Sequence, residues 1–490
     1  MATPTRERPS RSARDEERYR WVALFVVLVG VFMVILDVTI VNVALSRIGD
    51  ALGHARRVDW VVTAYLLAVG IVQPATGWLA DRLGKRQVFL GSLALFTIGS
   101  ALCAASPTLW VLVAFRVLQG LGGGAMVPTA QAMVYELFPA DRRGTALGVW
   151  GIAAMAAPAI GPVLGGFLIS VAPWQWLFLV NVPIGAVGFV VARRLLRDTG
   201  FREDRPLDWL GLLVAATGLG ALLLALAQAP AWGWLSPRFL GLVAVGVALV
   251  GGFVVRALRV RHPLIDVRIF RVGTFALSMT IVSLFMLAIF ARVTFVPLEL
   301  EEARHFSPLH VGFLLVPSAV GAAITMPIGG RLTDRIGARG PVLVGLALSA
   351  ASMALLGGMG PHTSPGRIAA YLGVGGLGNG LANMPNTVVA MNSLPTRFMA
   401  QAAAVRQLLR RVSASLGIAV LMSIVVAQLG GRSPETAHVG AARAVSAYGT
   451  VFYIAAGAVG LAFVLAFWLP GARRAKELQR QRAAESDGDA

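Results

Sequence analysis

The chain has 490 residues, of which 57% are hydrophobic and 14% are charged, and its mean hydropathy is +0.73. Soluble globular domains carry roughly a quarter charged residues, so most of this chain must have lipid as its solvent. A formal charge of +19 would suit nucleic-acid binding, but the basic residues fall in alternate loops between apolar segments. That arrangement is the positive-inside pattern of a multi-pass membrane protein, and we expect no nucleic-acid partner.

Apolar segments of about twenty residues predict fourteen transmembrane helices and no separate soluble domain. The first segment begins at Trp21 and is too long for the apolar region of a signal peptide, so we expect an uncleaved span. An even number of spans puts both termini on one side, which the loop charges predict to be the cytoplasm. The predicted spans are 21–45, 58–80, 87–105, 108–134, 142–172, 175–196, 207–228, 236–259, 272–300, 308–332, 340–358, 367–391, 402–428 and 446–469.

One acid lies inside the first predicted span, in the run LDVTIVNVAL that begins at Leu36. A carboxylate within a span costs about 2.5–3.5 kcal/mol on insertion scales, so it normally faces a cavity or a partner. Burial favours the protonated form of a carboxylate, which makes Asp37 a candidate proton site. The alternatives are that Asp37 is solvated near a helix end or is only a structural hydrogen-bond partner. Asn42, farther along this run, is a candidate for substrate contact.

An internal repeat follows the second span. The sequence GWLADRLG at residues 77–84 recurs 253 residues later as GRLTDRIG at residues 330–337. Its glycines permit a tight turn, and its aspartate can bond to the N-terminus of a neighbouring helix. The motif therefore predicts a conformational latch, although a loop whose charges only set topology is the alternative. The latch candidates are Gly77, Asp81, Arg82, Gly84, Arg86, Asp334 and Arg335.

The repeat also predicts how the chain is divided. Each copy follows the second helix of a six-helix set, but the offset spans eight helices, so two helices must be inserted between the sets. Parallel repeats of this kind place a substrate cavity between them. The predicted parts are a cytoplasmic tail (1–20), a first six-helix half (21–200), two inserted transmembrane helices (201–262), a second six-helix half (263–470) and a cytoplasmic tail (471–490).

The loop GWLADRLGKR at residues 77–86 resembles the loop between the second and third helices of the major facilitator superfamily. The first-span run that contains Asp37 is similar to a signature of its drug:proton antiporters. The run RVLQGLGGG, from Arg116, resembles the fourth-helix motif of the superfamily. A guanidinium stabilises a charged carboxylate, so the resemblance implies that Asp37 and Arg116 couple proton binding to transport. Gln119, in the same motif, is a candidate for substrate contact.

The fifth span carries a dense cluster of proline and glycine that resembles the antiporter signature of the fifth helix. Prolines bend helices and glycines let another helix pack closely, so the cluster predicts a hinge, with close packing alone as the alternative. The run at residues 174–185 is similar to the sixth helix of the fourteen-spanner drug:proton antiporters, with Gln175 where that family has arginine. The hinge candidates are Pro158, Gly161, Pro162, Gly165 and Gly166.

Two later spans carry charges that depart from the family pattern. Glu299 and Glu301 end the ninth span, where they can attract a cationic substrate, although acids at a helix end are usually solvated. Arg292 lies deep in the same span, so we expect it to face the bundle interior, with an acidic or anionic partner, and it is a candidate for substrate contact. The thirteenth span holds Arg406, Arg410 and Arg411. The first two share a face and can line the cavity, pair with acids or snorkel to the surface, and we expect snorkelling.

These features predict an all-α major facilitator fold and a proton-coupled antiporter. We expect it to export amphipathic drugs or antibiotics, cationic ones included, across a bacterial plasma membrane, as a monomer whose partners are a small molecule, protons and lipid. The alternative is an exporter or flippase of an endogenous metabolite, lipid or sugar. The chain carries no HExxH, GxSxG, CxxC or Walker-type motif, which argues against an enzyme, ATP drive, a cofactor or a metal.

Overall fold

The computed structural model describes residues 11–53, 57–139, 142–198, 206–395, 398–429 and 441–471. Within these ranges the regular structure is helical. The α-helices in chain order are α1 (Arg11–Val43), α2 (Leu45–Ala51), α3 (Trp60–Leu83), α4 (Lys85–Ala104), α5 (Leu109–Leu137), α6 (Arg143–Val171), α7 (Trp176–Leu179), α8 (Asn181–Leu195), α9 (Trp209–Trp232), α10 (Pro237–Arg259), α11 (Gly273–Leu298), α12 (Pro308–Ile336), α13 (Arg339–Gly357), α14 (Pro365–Asn392), α15 (Met399–Gln428) and α16 (Ala441–Ala466).

Thirteen helical segments in the described part of the chain are long and apolar enough to cross a membrane, with α7 and α8 forming one of them. The predicted span 367–391 is missing from this set because α14 carries Asn379, Asn383 and Asn386, all buried. It packs against α11, α12 and α13, so its amides face other helices rather than lipid. With α14 included, each of the fourteen predicted spans corresponds to a helix.

The helices pair in the same way in two sets of six. In the first set, which we call the N half, α1 packs on α6, α3 on α5, and α4 on α8. In the second set, the C half, the corresponding pairs are α11 with α15, α12 with α14, and α13 with α16. The two halves meet where α6 packs on α12 and where α3 packs on α15, which are again equivalent pairs. This symmetry is the packing that the sequence repeat predicts.

The two copies of the repeated motif end their helices alike. Gly84 and Gly337 stop α3 and α12 with backbone φ angles of 87° and 85°, a region that favours glycine. These turns lie at the end of the bundle where the arginine-rich loops collect, which we call the basic end. The sequence repeat is therefore also a repeat of local backbone structure.

The inserted helices α9 and α10 pack on each other, and α9 contacts both α3 and α15. It therefore lies against both halves. The largest difference from the predicted spans is at the start of the chain, where α1 begins at Arg11, so half of the predicted N-terminal tail is helical. The predicted C-terminal tail lies outside the described residues except for Gly471.

Candidate functional site

An ion pair lies at the centre of the N half. Asp37 on α1 and Arg116 on α5 have fully buried side chains, and Arg116 Nη1 is 2.6 Å from Asp37 Oδ2. The same Nη1 donates to Gln119 Oε1 at 2.8 Å, and Arg116 Nε donates to the Val61 carbonyl at 3.2 Å. Gln119 Nε2 in turn donates to Asp37 Oδ1 at 2.9 Å. Because Asp37 is buried, the alternative that it is solvated near a helix end is wrong.

Two further polar residues complete this cluster. Asn181, at the start of α8, donates from Nδ2 to Asp37 Oδ1 at 2.9 Å and contacts Ser100 Oγ at 3.1 Å. Ser100 on α4 donates to the Phe178 carbonyl at 2.9 Å. The carboxylate of Asp37 therefore accepts hydrogen bonds from three side chains on two other helices. Sequence reasoning assigned no role to Asn181 or Ser100; the available signal was a polar residue inside an apolar span.

Aromatic rings enclose the Arg116 guanidinium. Its central carbon lies 4.2 Å from the centre of the Tyr65 ring and 5.5 Å from that of Phe178, which adds cation–π attraction. Gly120 makes this approach possible, since a Cβ there would stand 2.7 Å from the Tyr65 carbonyl oxygen. The glycines of the fourth-helix motif thus bring α5 against α3. Asn42, in contrast, is exposed and lies apart from the cluster.

The second copy of the latch motif joins the two halves. Asp334, near the end of α12, accepts hydrogen bonds from Gly144 N at 3.0 Å and from Thr145 N and Oγ1, both at 2.9 Å. These groups form the first turn of α6, where a carboxylate also interacts favourably with the helix dipole. Gly144 and Gly330 cross so closely that neither has room for a side chain. The halves are therefore in contact at the basic end.

The first copy of the motif faces the start of α15. Asp81 is buried, and a Cβ at Gly77 would stand 3.1 Å from Gln401 Cα, so α3 and α15 approach closely here. Arg86 Nη2 donates to the Arg193 carbonyl at 2.6 Å, whereas Arg82 is exposed, as is its counterpart Arg335. Sequence reasoning missed the buried ion pair of Lys85 with Glu136, which joins α4 to α5.

The glycines of α6 contact two different partners. Near the basic end, a Cβ at Gly148 would stand 2.6 Å from Pro327 Cα, and Gly151 lies on Met326, so this part of α6 contacts the C half. Farther along, Gly161 and Gly165 lie on α1 of the same half. The predicted hinge residues therefore pack within the N half. Pro158 is half-buried, Gly166 has open space beside it, and the Pro162 side chain lies outside the described residues.

Glu299 and Glu301, in the helical turn that follows α11, are in different surroundings from each other. Glu299 is 1% exposed and accepts a hydrogen bond from Arg304 Nη2 at 2.9 Å. The expectation of a solvated acid is therefore wrong for Glu299, because the following turn folds Arg304 back over it. Glu301 is exposed, as expected. Since Arg304 neutralises the buried carboxylate, Glu299 does not present a free negative charge to a cation.

The arginines of α15 are held between helices. Arg406 is 1% exposed, and its Nη2 donates to Asn383 Oδ1 at 2.9 Å and to Thr387 Oγ1. The expectation of snorkelling is therefore wrong for Arg406, because α14 supplies acceptors inside the bundle. Arg411 Nη1 donates to the Leu66 carbonyl of the N half at 3.0 Å. Arg410 is half-buried and has no hydrogen bond or ion pair within the described ranges.

Arg292 lies inside the C half, with 6% of its surface exposed. Its guanidinium packs against Gly375 of α14, where a Cβ would collide with it. Across the residues that the structure covers, Arg292 has no acidic partner and no hydrogen-bond acceptor. Those residues also include no group of three or more His, Cys, Asp or Glu side chains that is placed to hold a metal ion.

The paired halves and the buried polar cluster are those of a transporter, and the sequence profile of the Major Facilitator Superfamily matches residues 27–418 and 275–487. The chain belongs to that superfamily. It is 35% identical to the multidrug resistance protein B homolog of Mycobacterium tuberculosis, over 80% of this chain and 73% of that one. It is 32% identical to the tetracenomycin C resistance and export protein of Streptomyces glaucescens, over 89% and 82%.

Solved structures agree on the fold. The human organic anion transporter MFSD10 superposes with a TM-score of 0.66 at 17% identity, over 91% of this chain and 99% of that one. The proton:xylose symporter XylE gives 0.66 at 13% identity, over 95% and 100%. At these identities the likeness concerns the fold alone. The family profile and the sequence relatives, together with this fold, confirm a multi-pass membrane transporter of the multidrug efflux type, a class that is not enzymatic.

Proposed function

We propose that this chain is a proton-coupled antiporter that exports amphipathic drugs or antibiotics across a bacterial plasma membrane. The observation that supports this proposal best is the buried Asp37–Arg116 pair, whose carboxylate accepts three hydrogen bonds. The names of the sequence relatives, which include multidrug resistance and export proteins, favour efflux. In this proposal the basic end faces the cytoplasm, as do both termini, and a monomer is the working unit.

The pair suits proton coupling because protonation changes its electrostatics completely. A charged Asp37 neutralises Arg116, and a proton on Asp37 leaves the guanidinium with only neutral partners in a buried site. Any movement that brings another acceptor or water to Arg116 then lowers the free energy of the protein. The bonds from Gln119 and Asn181 stabilise the charged form, so protonation also weakens the link between α1, α5 and α8. In this way, binding a proton favours a different arrangement of the N half.

Alternating access then requires the contacts at the basic end to break. Asp334 bonds to the first turn of α6, and the Gly144–Gly330 crossing closes this end. We propose that this end opens to take up substrate from the cytoplasm as residues 21–200 rotate against residues 263–470. Residues 201–262 form the inserted pair of helices. Asp81 and its neighbours on α3 act as the equivalent latch against α15.

The test is transport into proteoliposomes that contain the purified protein, with and without an imposed pH gradient. Rhodamine 6G serves as the cationic probe and fluorescein as the anionic probe. We expect gradient-dependent accumulation of at least one probe, and loss of this dependence in Asp37→Asn. Asp50→Asn is the matched control because Asp50 is exposed on α2. Gradient-dependent transport that survives in Asp37→Asn contradicts the assignment of the proton site.

A second candidate is export of one metabolite that the same cell makes. The similarity to a protein named for tetracenomycin C resistance and export favours it, since that alignment covers 89% of this chain. Both candidates share the fold and the proton site and differ only in substrate range. Transport of several unrelated probes supports a multidrug exporter. A dedicated exporter is supported if neither probe is transported but protons cross the membrane when an extract of the producing cell is added.

A further inference from the structure

Arg292 lies on the helix of the C half that corresponds to the helix of Asp37 in the N half. The two copies of the latch motif are 253 residues apart, and Arg292 follows Asp37 by 255 residues. Both residues lie on the first helix of their half, and each helix packs against the fourth helix of that half, α1 on α5 and α11 on α14. Each side chain is directed at that fourth helix. The repeat therefore places an acid on the first helix of one half and a base on the first helix of the other, two residues apart in register, and each side chain faces the fourth helix of its half.

The surroundings of the two side chains differ. Arg116 and Gln119 project from α5 towards Asp37, whereas α14 presents Gly375 to Arg292. Ser352 of α13 also lies beside Gly375, but its hydroxyl donates to the Tyr371 carbonyl. Within the described ranges no carboxylate, carbonyl or hydroxyl oxygen accepts a hydrogen bond from Arg292. The missing side chain at Gly375 is what makes room for the guanidinium.

A buried guanidinium without acceptors is costly, so it is normally paired or functional. The nearest acid along α11 is Glu299, two turns away, and Arg304 already neutralises it. The other interior arginines have no acidic partners either. Arg406 bonds to neutral side chains, and Arg410 has no partner in the part of the chain that the structure describes. The interior of the C half therefore has an excess of positive charge.

We propose that Arg292 binds an anionic group of the transported substrate, such as a carboxylate or an ionised phenol. The guanidinium fork matches the two oxygens of a carboxylate, and a site with little water strengthens the interaction. Arg292 keeps a small exposed fraction of its surface and is shielded from most solvent. This inference rests on the proposed export function and narrows its substrate class to acidic amphiphiles. An acidic group on the substrate supplies the counter-charge that the described residues do not provide for Arg292.

Equilibrium binding tests this inference without a pH gradient. Fluorescence anisotropy measures the affinity of the purified protein, in a neutral detergent, for fluorescein and for rhodamine 6G. We expect the wild type to bind fluorescein more tightly, and Arg292→Gln to weaken fluorescein binding at least about tenfold while changing rhodamine 6G binding less than twofold. Arg238→Gln is the matched control, because Arg238 is an exposed arginine on α10. It should change neither affinity.

Arg292→Lys keeps the charge but not the fork, and we expect it to bind fluorescein with an affinity between those of the wild type and Arg292→Gln. If size-exclusion chromatography shows that Arg292→Gln does not fold, the fluorescein affinities of Arg292→Lys and the wild type test the inference instead. Equal affinity of the wild type and the variants for fluorescein overturns the inference. Because binding needs no gradient, this result is independent of the transport test, whose failure would instead contradict proton-driven export.

Discussion

The N half and the C half pack their six helices in the same pairs, but the first helix of each half carries an opposite charge towards its fourth helix. In the N half, Asp37 is fully buried and its carboxylate is bonded to Arg116, Gln119 and Asn181. In the C half, Arg292 is almost as buried and has no such partner within the described residues. The comparison shows that a repeat can keep its helix packing while the chemistry carried by corresponding helices diverges.

The difference also separates two tasks. A carboxylate that is already paired can respond to a proton, because protonation removes a charge from a balanced set. An unpaired guanidinium gains most from a ligand that brings the missing charge. In this scheme the N half responds to the proton and the C half recognises the substrate. The α6–α12 and α3–α15 contacts connect the two.

Removing the counter-charge tests the paired site most severely. Arg116→Gln leaves Asp37 buried without its partner, and breaking a buried pair in this way destabilises a protein by about 3–5 kcal/mol. We expect no gradient-driven transport and a large fall in thermal unfolding temperature. The double variant Asp37→Asn with Arg116→Gln should recover most of the stability but no coupling. If the double variant still couples transport to the gradient, the pair is structural only.

Blocking the contact between the halves at the basic end should have the next largest effect on transport. Gly330→Val places a side chain where the Gly144 backbone passes, so the basic end cannot close as it does here. We expect transport to fall about tenfold. Cys103 is the only cysteine in the chain, so a Cys103→Ser background allows a cysteine at Thr145 to report accessibility to a thiol reagent. Labelling at Thr145 should rise; unchanged labelling would contradict closure by this contact.

Weakening the latch without blocking closure should have a smaller effect. Asp334→Asn keeps the shape of the side chain but removes its charge and one acceptor at the first turn of α6. Losing a favourable helix cap costs about 1 kcal/mol, which corresponds to a roughly fivefold shift between open and closed populations. The same labelling measures this shift relative to the Cys103→Ser, Thr145→Cys background, in which Asp334 keeps its two backbone donors, Gly144 N and Thr145 N. Arg331→Gln, an exposed change on the same helix, is the control and should leave labelling unaltered.

The smallest effect is expected at the ion pair of Glu299 and Arg304 in the C half. Glu299→Gln removes the partner of Arg304, but Arg304 also donates to the carbonyl oxygens of Pro361 and Thr363. We therefore expect less than a threefold change in the transport of either fluorescent probe, in contrast to Arg292→Gln. A selective loss of rhodamine 6G transport would instead make Glu299 the determinant of substrate charge.

The sequence predicts the helices and their repeat well, because apolar length and glycine-containing turns are local properties. It also singles out Asp37 and Arg116 from motifs on their own helices. It does not single out Asn181 and Ser100, because their importance comes only from helices that pack beside α1. Arg406 illustrates the same limit: its own helix suggests snorkelling, whereas the acceptors that hold it inside are on α14.

The helix α9 has a consequence for how the lipid affects transport. It contacts α3 of the N half and α15 of the C half, and Leu223 on α9 packs against Gly70. Its partner α10 exposes Val245, Val247 and Val255. In the rotation of the halves that we propose, the separation of α3 and α15 changes, so α9 would have to slide along at least one of them while it remains in the bilayer. The thickness of the membrane therefore acts on the inserted pair directly, and the rate of transport should depend on the acyl-chain length of the lipid.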